Sequence, residues 1–536
     1  MALARKIIDR YEYLKGQRIN WDAHWQELAD YVIPRKDDVY LSRMKGEKKH
    51  NQIFDSTGIH SNELLASALH GMLTNPATMW FSLSTGDEFL DQDDEVRLWL
   101  QDAARQMHNV LNNSNFHTHI HELYLDIGCF GTALMRIEEH ETDVVRFQSR
   151  PIYEAFISEN HQSVVDTVYR TFRYSVRQIR QHFGEEVMDE SMLNQLKDNY
   201  MQEYEIIHAV EPVEDDLQYT AKKGFKYRST YVLKDKQLVL SEGGFKEFPF
   251  VVPRWTKIAG EVYGRSPAMK ALADLKMLNL VMKTTIRGAQ KVIDPPLLMP
   301  DDGVMMPFKT TPGAINFYRA GLGTDKMVSP LDTGSKVDFG IEFVERIRVK
   351  IREAFFIDQL QLNTGPQMTA TEVAQRTEEK LRLLGPILGR QQFELLRPMV
   401  GRLFNIMMRK KMLGQIPEIL AERELQVQYS SQIAKAQKTA EADSFLRVMN
   451  ILGPLSQLQP EIIDNLNGDQ ALRFLSKAYG LPEQMLRPME DVIETRNARQ
   501  EQQAQAQQMQ QMAMQADAMK SGAPALKAMR EYTQGA

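Results

Sequence analysis

The stretch YGRSPAMKALADLKMLNLVMKTTIRGAQKVIDPP, residues 263–296, decides the fold of this chain. Ser266-Pro267 places a proline in the first turn of a helix, where its missing N–H is not needed. From Ala268 to Ile293 the only further breaker is Gly288, and Asp294-Pro295-Pro296 then ends the pattern. The spacing therefore predicts one long helix over residues 268–293.

A second long helix follows after an excursion rich in proline and glycine. Residues 294–340 carry these breakers and a strand-like piece at Ala314–Tyr318. Helical periodicity resumes over Ile341–Gln359, with an apolar stripe at Phe343, Ile347, Ile351 and Phe355. Such an excursion is longer than ordinary connections in compact domains and is more typical of a functional segment. We therefore expect a helix pair with a protruding segment between its members.

The chain beyond this pair is predicted to be helical. Residues 360–368 form a loop, and Thr369 with Glu372 makes a capping box that opens a helix to about Lys411. Pro386 and Pro398 lie inside this helix and predict kinks. Short helices are expected over residues 413–496. Residues 497–536 are rich in Gln, Met and Ala and are expected to be helical or disordered.

The N-terminal part is also predicted to be mainly helical. Apolar spacing over residues 2–33 predicts two short helices ended by Pro34, followed by a polar loop over residues 35–50. A further amphipathic helix is expected between Ser56 and Pro76. A fourth is expected over Glu95–Leu111, and its predicted core face consists of Leu98, Leu100, Met107 and Val110.

The middle third changes to a β-rich pattern. Runs of β-branched and aromatic residues separated by Asp, Gly and Asn predict five strands and a helix near Val176–Phe183. The predicted strands are Ala133–Ile137, Val144–Phe147, Val164–Tyr174, Tyr204–Val210 and Tyr227–Leu233. The predicted fold class is therefore α+β and predominantly helical.

Composition and charge exclude several classes of protein. Charged residues make up 25% and hydrophobic residues 43% of the chain, and no apolar run of about 18 residues predicts a membrane span. Met1–Asp9 lacks a secretory signal pattern and Cys129 is the single cysteine, so a reducing cytosol is expected. A net charge of -6 argues against a protein that grips nucleic acid over its whole surface.

Catalytic motifs are weak in this sequence. The fragments Gly321–Lys326 and Gly334–Lys336 do not complete a phosphate-binding loop. His117, His119 and His121 could be metal ligands on a strand, but on the amphipathic helix that their neighbours predict they cannot converge. The acidic cluster Asp91, Asp93, Asp94 and Glu95 could bind a divalent metal, but it favours the start of a helix. Cys129 is expected to be a buried, inert thiol.

Two basic rows remain as candidate functional residues. Lys283, Arg287 and Lys291 recur every four residues along the first long helix, and Arg346 and Lys350 do the same on the second. A solvated helix face is the alternative to a DNA-contacting role.

The order of elements and the local motifs resemble the portal, or head-to-tail connector, proteins of short-tailed bacteriophages. The resemblance is collinear over residues 5–415. The matching motifs are Arg10-Tyr11-Glu12-Tyr13-Leu14-Lys15 with Tyr31-Val32-Ile33-Pro34, Asn62–Leu73 followed by Trp80-Phe81, Gly128–Leu134, Tyr263-Gly264-Arg265-Ser266-Pro267, and Thr369-Ala370-Thr371-Glu372-Val373 followed by Gly385-Pro386.

The resemblance implies a portal fold with a wing, a two-helix stem, a clip and a helical crown. Mapped onto this chain, the expected parts are a wing over 1–265, stem helices over 266–293 and 341–359, a clip over 294–340, a tunnel loop over 360–368, a long kinked wing helix over 369–412, a crown over 413–496 and a tail over 497–536. Such proteins form a ring, usually of twelve subunits, at one capsid vertex. The expected location is the virion, with the host cytoplasm during assembly.

The resemblance also implies partners and candidate site residues, without catalytic residues, metals or cofactors. Double-stranded DNA would pass through the channel, and the expected protein partners are a terminase motor, a tail adaptor, and the major capsid and scaffolding proteins. The candidate channel residues are the two basic rows with the uncharged loop residues Gln361, Asn363, Thr364 and Gln367. The candidate partner-binding residues in the clip are Asp301, Asp302, Lys309, Arg319, Asp325 and Lys326.

Two other readings of the sequence remain open at this stage. A metal-dependent DNA-processing enzyme would use Asp91–Glu95 or His117–His121 and would show divalent-metal-dependent nuclease activity. A scaffold protein would stay monomeric in solution. A ring seen by electron microscopy would distinguish the portal from both.

Overall fold

The computed structural model describes most of the chain. The described residues are 2–36, 39, 53–87, 89–213, 224–294, 297–298, 329–330, 337–360, 384–420, 432–459, 465–479, 481, 485–487 and 489–533. The chain divides into two compact units, one formed by Met1–Phe81 with Ala104–Gly414 and the other by Ser82–Ala103 with Gln415–Ala536. No helix in the described part of the chain combines the length and the apolar character needed to cross a membrane.

Helices predominate over strands. The helices are α1 (Ala2–Val32), α2 (Thr57–Leu73), α3 (Asp94–Asn113), α4 (Phe116–Phe130), α5 (Val176–Phe183), α6 (Glu190–Asp198), α7 (Pro267–Ile293), α8 (Val337–Ala354), α9 (Ile357–Leu360), α10 (Arg397–Arg409), α11 (Gln432–Leu458), α12 (Gly468–Tyr479) and α13 (Met489–Thr533). The strands are β1 (Leu134–His140), β2 (Val144–Arg150), β3 (Ala155–Glu159), β4 (Val165–Ser175), β5 (Glu203–Pro212), β6 (Tyr227–Leu233), β7 (Leu238–Phe245), β8 (Phe250–Val251), β9 (Leu297–Leu298) and β10 (Ser329–Pro330).

The N-terminal helix corrects one prediction. The two short helices expected over residues 2–33 are one continuous helix of 31 residues, α1. Gly16 lies inside this helix, and no atom lies within 4 Å of the position of its Cβ. Pro34 ends α1 as predicted and opens a short 3-10 turn.

A five-stranded antiparallel sheet, in the order β3-β4-β5-β6-β7, forms the centre of the first unit. One face packs against Ala4, Ile7 and Tyr11 of α1. The opposite face packs against α5 and α6, which contribute Val176, Ile179 and Met192. The five strands predicted from the sequence are confirmed as β1, β2, β4, β5 and β6, and helix α5 is confirmed as well. Helix α6 and strands β3, β7 and β8 were not predicted. Both sheet faces are therefore covered within the subunit.

A smaller sheet in the order β2-β1-β8 lies beside helix α4. The side chain of Asn115 holds β2, because it donates to the Phe147 carbonyl at 2.8 Å and accepts from the Phe147 N–H at 3.0 Å. Arg402 of α10 donates to the carbonyls of Ile137 and Glu247, each at 3.0 Å, and burial lowers its pKa to about 10. The last helix of this unit thereby closes over the smaller sheet.

A buried ion cluster fixes the chain where it approaches α10. Arg254 is 2% exposed and pairs with Glu159 and with Glu394, whose Oε1 lies 2.8 Å from Nη2. Glu394 belongs to a π-helical turn, Gln392–Leu396, which follows the helical residues 384–391 and precedes Pro398. This turn directly precedes the position at which the sequence predicted a kink, where proline supplies no N–H to the helical ladder.

Two of the motifs that carried the sequence resemblance, Gly128–Leu134 and Tyr263–Pro267, meet at the start of α7. Ser266 caps the helix by accepting from the Met269 N–H at 3.0 Å and donates to the Cys129 carbonyl at 2.7 Å. Gly131 adopts a φ of 77°, and a Cβ on it would lie 2.4 Å from the Gly264 carbonyl oxygen. The two glycines therefore allow the backbones of these motifs to touch. Trp25 of α1 donates to the Phe130 carbonyl beside them at 3.1 Å.

The second unit is helical in its described residues. Val96 and Leu100 pack with Leu420 in a small core. The predicted core face of α3 is partly wrong, because Leu98 is 39% exposed while Val96 is fully buried. Most described side chains of α13 before residue 515 are exposed, which agrees with the few core residues expected there.

Candidate channel surface on the paired long helices

Helices α7 and α8 pack against each other as an antiparallel pair. Gly340 of α8 lies against Thr285 of α7, since a Cβ at Gly340 would be 2.6 Å from the threonine Oγ1. Further along, Asn279 of α7 and Arg348 of α8 both bind the same segment, Phe54-Asp55. Residue numbers therefore rise along α8 as they fall along α7. The predicted long helix 268–293 is confirmed, and the second helix begins at Val337, four residues before the predicted start.

The buried residues between the helices correct the predicted stripe of α8. Ile347, Ile351 and Phe355 are buried as predicted. Phe343 is 36% exposed, and Val344 is buried in its place. Helix α8 ends at Ala354, because Phe356 adopts a φ of 61° before α9 begins.

A polar clamp fixes the helix pair to the start of α2. The buried Asn279 accepts from the N–H groups of Phe54 and Asp55, at 2.8 and 3.3 Å. Arg348 donates from both Nε and Nη2 to the Asp55 carboxylate, at 3.0 and 2.7 Å. Burial opposes ionisation of Asp55, but the hydrogen bonds from Thr57 and Arg348 outweigh it and hold the pKa of this carboxyl below its usual value. The clamp thus joins both long helices to one segment.

The predicted basic row on α7 lies on its outer surface. Arg287 and Lys291 are exposed, and Lys283 is partly buried with its Nζ 5.4 Å from the centre of the Phe54 ring. Within the described ranges, no carboxylate pairs with any of these three side chains. Arg287 and Lys291 therefore remain available to an anionic partner, whereas Lys283 is engaged in a cation–π contact.

The predicted basic row on α8 is partly neutralised. Arg346 is exposed and pairs with Glu342 one turn earlier, at 2.7 Å. Lys350 is exposed and has no carboxylate partner among the described residues. The neighbouring Arg348 and Arg352 both bind Glu345, at 3.2 and 2.5 Å. The helix therefore carries equal numbers of acidic and basic side chains, and its formal net charge is zero.

Large apolar side chains are exposed on the same two helices. On α7, Leu280 is 63% and Ile286 41% exposed, and on α8 Phe339 is 68% exposed. The rings of Phe339 and Phe343 stack with centres 6.2 Å apart and planes within 4°. Grouped apolar side chains at a surface are characteristic of protein–protein contacts.

The other candidate residues lie outside the described part of the chain. These are the loop residues Gln361, Asn363, Thr364 and Gln367, and the clip residues Asp301, Asp302, Lys309, Arg319, Asp325 and Lys326. The capping box of Thr369 and Glu372 is also outside it.

The acidic cluster at the start of α3 has structural partners. Asp93 caps the helix by accepting from the N–H groups of Glu95 and Val96, at 3.0 and 3.1 Å. Asp91 accepts from the N–H of Thr85 at 2.8 Å, and Asp94 pairs with Arg97. The capping prediction is therefore confirmed. Among the residues with described positions, no group of three or more His, Cys, Asp or Glu could hold a metal ion.

The three alternating histidines lie on a helix, α4, as predicted. His117 and His121 approach His70 of α2, and His119 accepts from the Ser149 N–H at 3.3 Å. They are partly buried, so the expectation of plain surface histidines is only partly met. Cys129 is buried, and burial raises the pKa of its thiol well above the usual value, as expected for an inert thiol.

Sequence reasoning missed the polar clamp. Asp55 and Arg348 are separated by 293 positions, and their pairing follows from no local pattern. A faint signal is Asn279, which stands between Leu278 and Leu280 in an apolar part of the helix. A polar residue buried at such a place requires a hydrogen-bond partner.

Comparisons with known proteins agree with this architecture. Residues 4–486 match the family model described as bacteriophage head to tail connecting protein. The chain is 31% identical over 517 residues to the portal protein of Salmonella phage epsilon15, covering 94% of this chain and 92% of that one. It is 30% identical over 508 residues to the probable portal protein of Bordetella phage BPP-1, covering 93% and 92%. The portal protein of Escherichia phage T7 is 21% identical over 436 residues.

The chain therefore belongs to the family of bacteriophage head-to-tail connecting proteins. Its fold is the α+β, predominantly helical portal fold, and its function is that of a portal protein. The family resemblance stated from the sequence motifs is thereby confirmed.

Proposed function

We propose that the chain forms a closed ring of twelve copies at one capsid vertex and that double-stranded DNA passes through its centre. Contacts between unlike surfaces of identical subunits close into a ring when the rotation between neighbours allows it. In this proposal residues 1–265 and 369–412 form the wing, and α7 and α8 form the stem around the channel. Residues 294–340 form the clip, 360–368 the tunnel loop, 413–496 the crown and 497–536 the tail.

The exposed apolar side chains of α7 and α8 support the ring. Leu280, Phe339 and Phe343 lie on the helices that would stand side by side around the channel. Burying such side chains against a neighbouring copy gains about 25 cal/mol per Å² of apolar surface. We therefore propose that these residues contact the stem of the next subunit.

The charge on the helix pair supports a channel that guides DNA without holding it. Each phosphate that is neutralised adds affinity, and sliding must break that affinity repeatedly. Arg287, Lys291 and Lys350 are unpaired among the described residues, whereas Arg346 is offset by Glu342. Sparse, partly neutralised basic residues suit a moving duplex. The uncharged loop residues Gln361, Asn363, Thr364 and Gln367 would contact DNA on the same principle.

The clip is proposed as the docking site for successive partners. Its charges, at Asp301, Asp302, Lys309, Arg319, Asp325 and Lys326, are of mixed sign and suit an exchangeable interface. A terminase motor would bind there during packaging and a tail adaptor afterwards. The major capsid and scaffolding proteins would surround the ring in the virion, and assembly would take place in the host cytoplasm. The protein itself would contribute no catalysis and no cofactor.

The ring is tested by imaging and light scattering of the full-length protein. We expect rings with an axial channel for the wild type. The double variant Leu280→Asp/Phe343→Asp should lose the rings but keep its circular dichroism spectrum. Phe89→Asp is the matched control, because Phe89 is 86% exposed in the other unit. A wild-type monomer at micromolar concentration would overturn the ring, and rings in the double variant would overturn the proposed contact.

The clip is tested by replacing residues 301–326 with a short Gly/Ser linker. The variant should keep the hydrogen-exchange protection of the wing and lose capture of both terminase and tail adaptor in pull-downs. Retained capture of both partners would contradict the assignment.

A further inference from the structure

A chain of hydrogen bonds links histidines on three helices of the first unit. It begins at the Thr78 carbonyl, which lies 3.1 Å from Nε2 of His108. Nδ1 of His108 lies 3.3 Å from Nδ2 of Asn112. Oδ1 of Asn112 lies 2.8 Å from Nε2 of His117, and Nδ1 of His117 lies 3.2 Å from Nε2 of His70. The chain therefore connects α3, α4 and α2.

The carbonyl at one end fixes every proton along this chain. Because a carbonyl only accepts, His108 must donate from Nε2, and its neutral Nδ1 accepts from the Asn112 amide. The Asn112 oxygen then accepts from His117 Nε2, and His117 Nδ1 accepts from His70 Nε2. All three imidazoles are neutral in this arrangement. The geometry accepts one added proton, on His70 or by reversal of the chain, but a second would place two N–H donors face to face.

The surroundings of His70 and His117 disfavour a positive charge. Burial is the main cause that lowers the pKa of His70, and His121 on α4 adds to it. Burial likewise lowers the pKa of His117, with contributions from His70 and His108. Among the described residues, no carboxylate is a cause that raises either pKa. The titratable groups that act on the pair are His121 and His108, the Phe116 ring contacts His117, and Ser67 of α2 lies beside His121 at 3.4 Å.

We propose that this histidine chain is a proton-sensitive joint that holds α2, α3 and α4 together when neutral and opens them when it takes up a second proton. The joint is independent of ring closure and DNA passage. Helix α2 begins at the segment that Asn279 and Arg348 clamp to the stem helices, so opening of the joint would loosen one attachment of the stem. Acid would therefore act on the wing through an internal contact.

Proton linkage gives the direction and size of the effect. The unfolded or opened segment binds protons near the ordinary histidine pKa of about 6.5, while the closed joint binds them at lower pH. The joint is therefore closed above about pH 6.5 and is destabilised as the pH falls. Each proton taken up on opening raises the opening equilibrium constant by up to about tenfold per pH unit.

Hydrogen–deuterium exchange of the full-length protein tests the joint. We expect peptides from residues 57–73 and 116–130 to exchange faster at about pH 5.5 than at about pH 7.5, after correction for the intrinsic rate, while β4 and β5 do not change. The variant His70→Gln/His117→Gln should lose this difference. His140→Gln is the control, since His140 takes no part in the hydrogen-bonded row of histidines and pairs with Asp143 at 3.1 Å.

A second measurement needs no variant and keeps the proposal testable if the double variant does not fold. Exchange at the imidazole C2 position, followed by mass spectrometry, gives the titration of each histidine in the wild type. His70 and His117 should titrate below the unfolded-chain value. Ordinary titration of both residues, or equal corrected exchange of the two helices at both pH values, would overturn the joint.

Discussion

Both faces of the five-stranded sheet are covered by the same subunit, by α1 on one side and by α5 and α6 on the other. The α7–α8 pair is different, because it buries one side and leaves Leu280, Phe339 and Ile286 exposed. Both regions belong to the same compact unit. The difference teaches that the sheet is covered within one subunit, whereas the long helices keep an apolar surface that, in the proposed ring, another copy would cover.

The largest effect on stability is expected at the buried ion cluster of Arg254, which lies outside the α7–α8 pair. Arg254→Met leaves Glu159 and Glu394 without their guanidinium partner in a buried site. We expect the free energy of unfolding to fall by about 3–5 kcal/mol. Urea unfolding of the wing, followed by tryptophan fluorescence, measures this loss. Arg180→Met is the control, because its pair with Glu185 is exposed and should matter by less than about 1 kcal/mol.

If Arg254→Met and Arg180→Met had equal effects, the wing would not depend on its internal ion pairs. The contrast with the stem would then lose its energetic basis.

A second variant tests the attachment of the α7–α8 pair to the segment that precedes α2. Asp55→Asn removes the charge that Arg348 binds and should cost about 1.5–3 kcal/mol at neutral pH. The folded-state pKa of Asp55 is lowered, so this contribution is present above the unfolded value of about 3.9 and disappears as the pH falls through the folded value. Stability of wild type and variant should therefore converge in acid. A difference that is independent of pH would show that the charge is not responsible.

A third variant tests the close contact of α2 with α4. A Cβ on Gly128 would lie 2.1 Å from Oδ1 of Asn62, so Gly128→Ala must displace the Asn62 amide, which donates to the Leu125 carbonyl at 3.1 Å. We expect a loss of about 1–3 kcal/mol, measured by thermal unfolding. Gly71→Ala on the facing helix is the control, because no atom lies within 4 Å of its Cβ position. It should be neutral or stabilising by up to about 1 kcal/mol.

The smallest effect on stability is expected on the exposed side of the stem. Replacing Lys283, Arg287, Lys291, Arg346 and Lys350 together by Gln should change stability by about 0.5 kcal/mol or less for each exposed site. Rings should still form, while packaging or retention of DNA should change with salt. Packaging and retention equal to wild type over a range of salt would remove these residues from the channel.

Local signals explain which parts of the fold were predictable. Ser266-Pro267 and Asp294 mark the ends of α7 by capping and by a helix-breaking proline pair, and both act within a few residues. Alternating β-branched residues marked the strands in the same way. The continuity of α1 was not predicted, although the glycine inside it costs only about 1 kcal/mol and the buried Tyr11 and Trp25 stabilise the helix.

The candidate site was predictable only as a pattern of charge. Lys283, Arg287 and Lys291 were found from their spacing, yet the contact of Lys283 with Phe54 depends on how a distant segment folds back. Periodicity alone selected Phe343 for the core of α8, although the helix is rotated so that Val344 is buried. Such choices are made by tertiary packing, which a single sequence does not encode locally.

The position of Arg402 late in the sequence affects the order in which the chain can fold during translation. Arg402 reaches the Ile137 carbonyl across 265 positions, so this hydrogen bond can form only after residue 402 has left the ribosome. At about 5–20 residues per second, this interval is about 13–53 s. Helix α7 lies between Ile137 and Arg402 in the sequence, so it is translated before their hydrogen bond can form. On a polysome, nascent subunits would therefore expose the apolar side chains of α7 before they have finished folding. Contacts between neighbouring nascent chains would then favour misassembly.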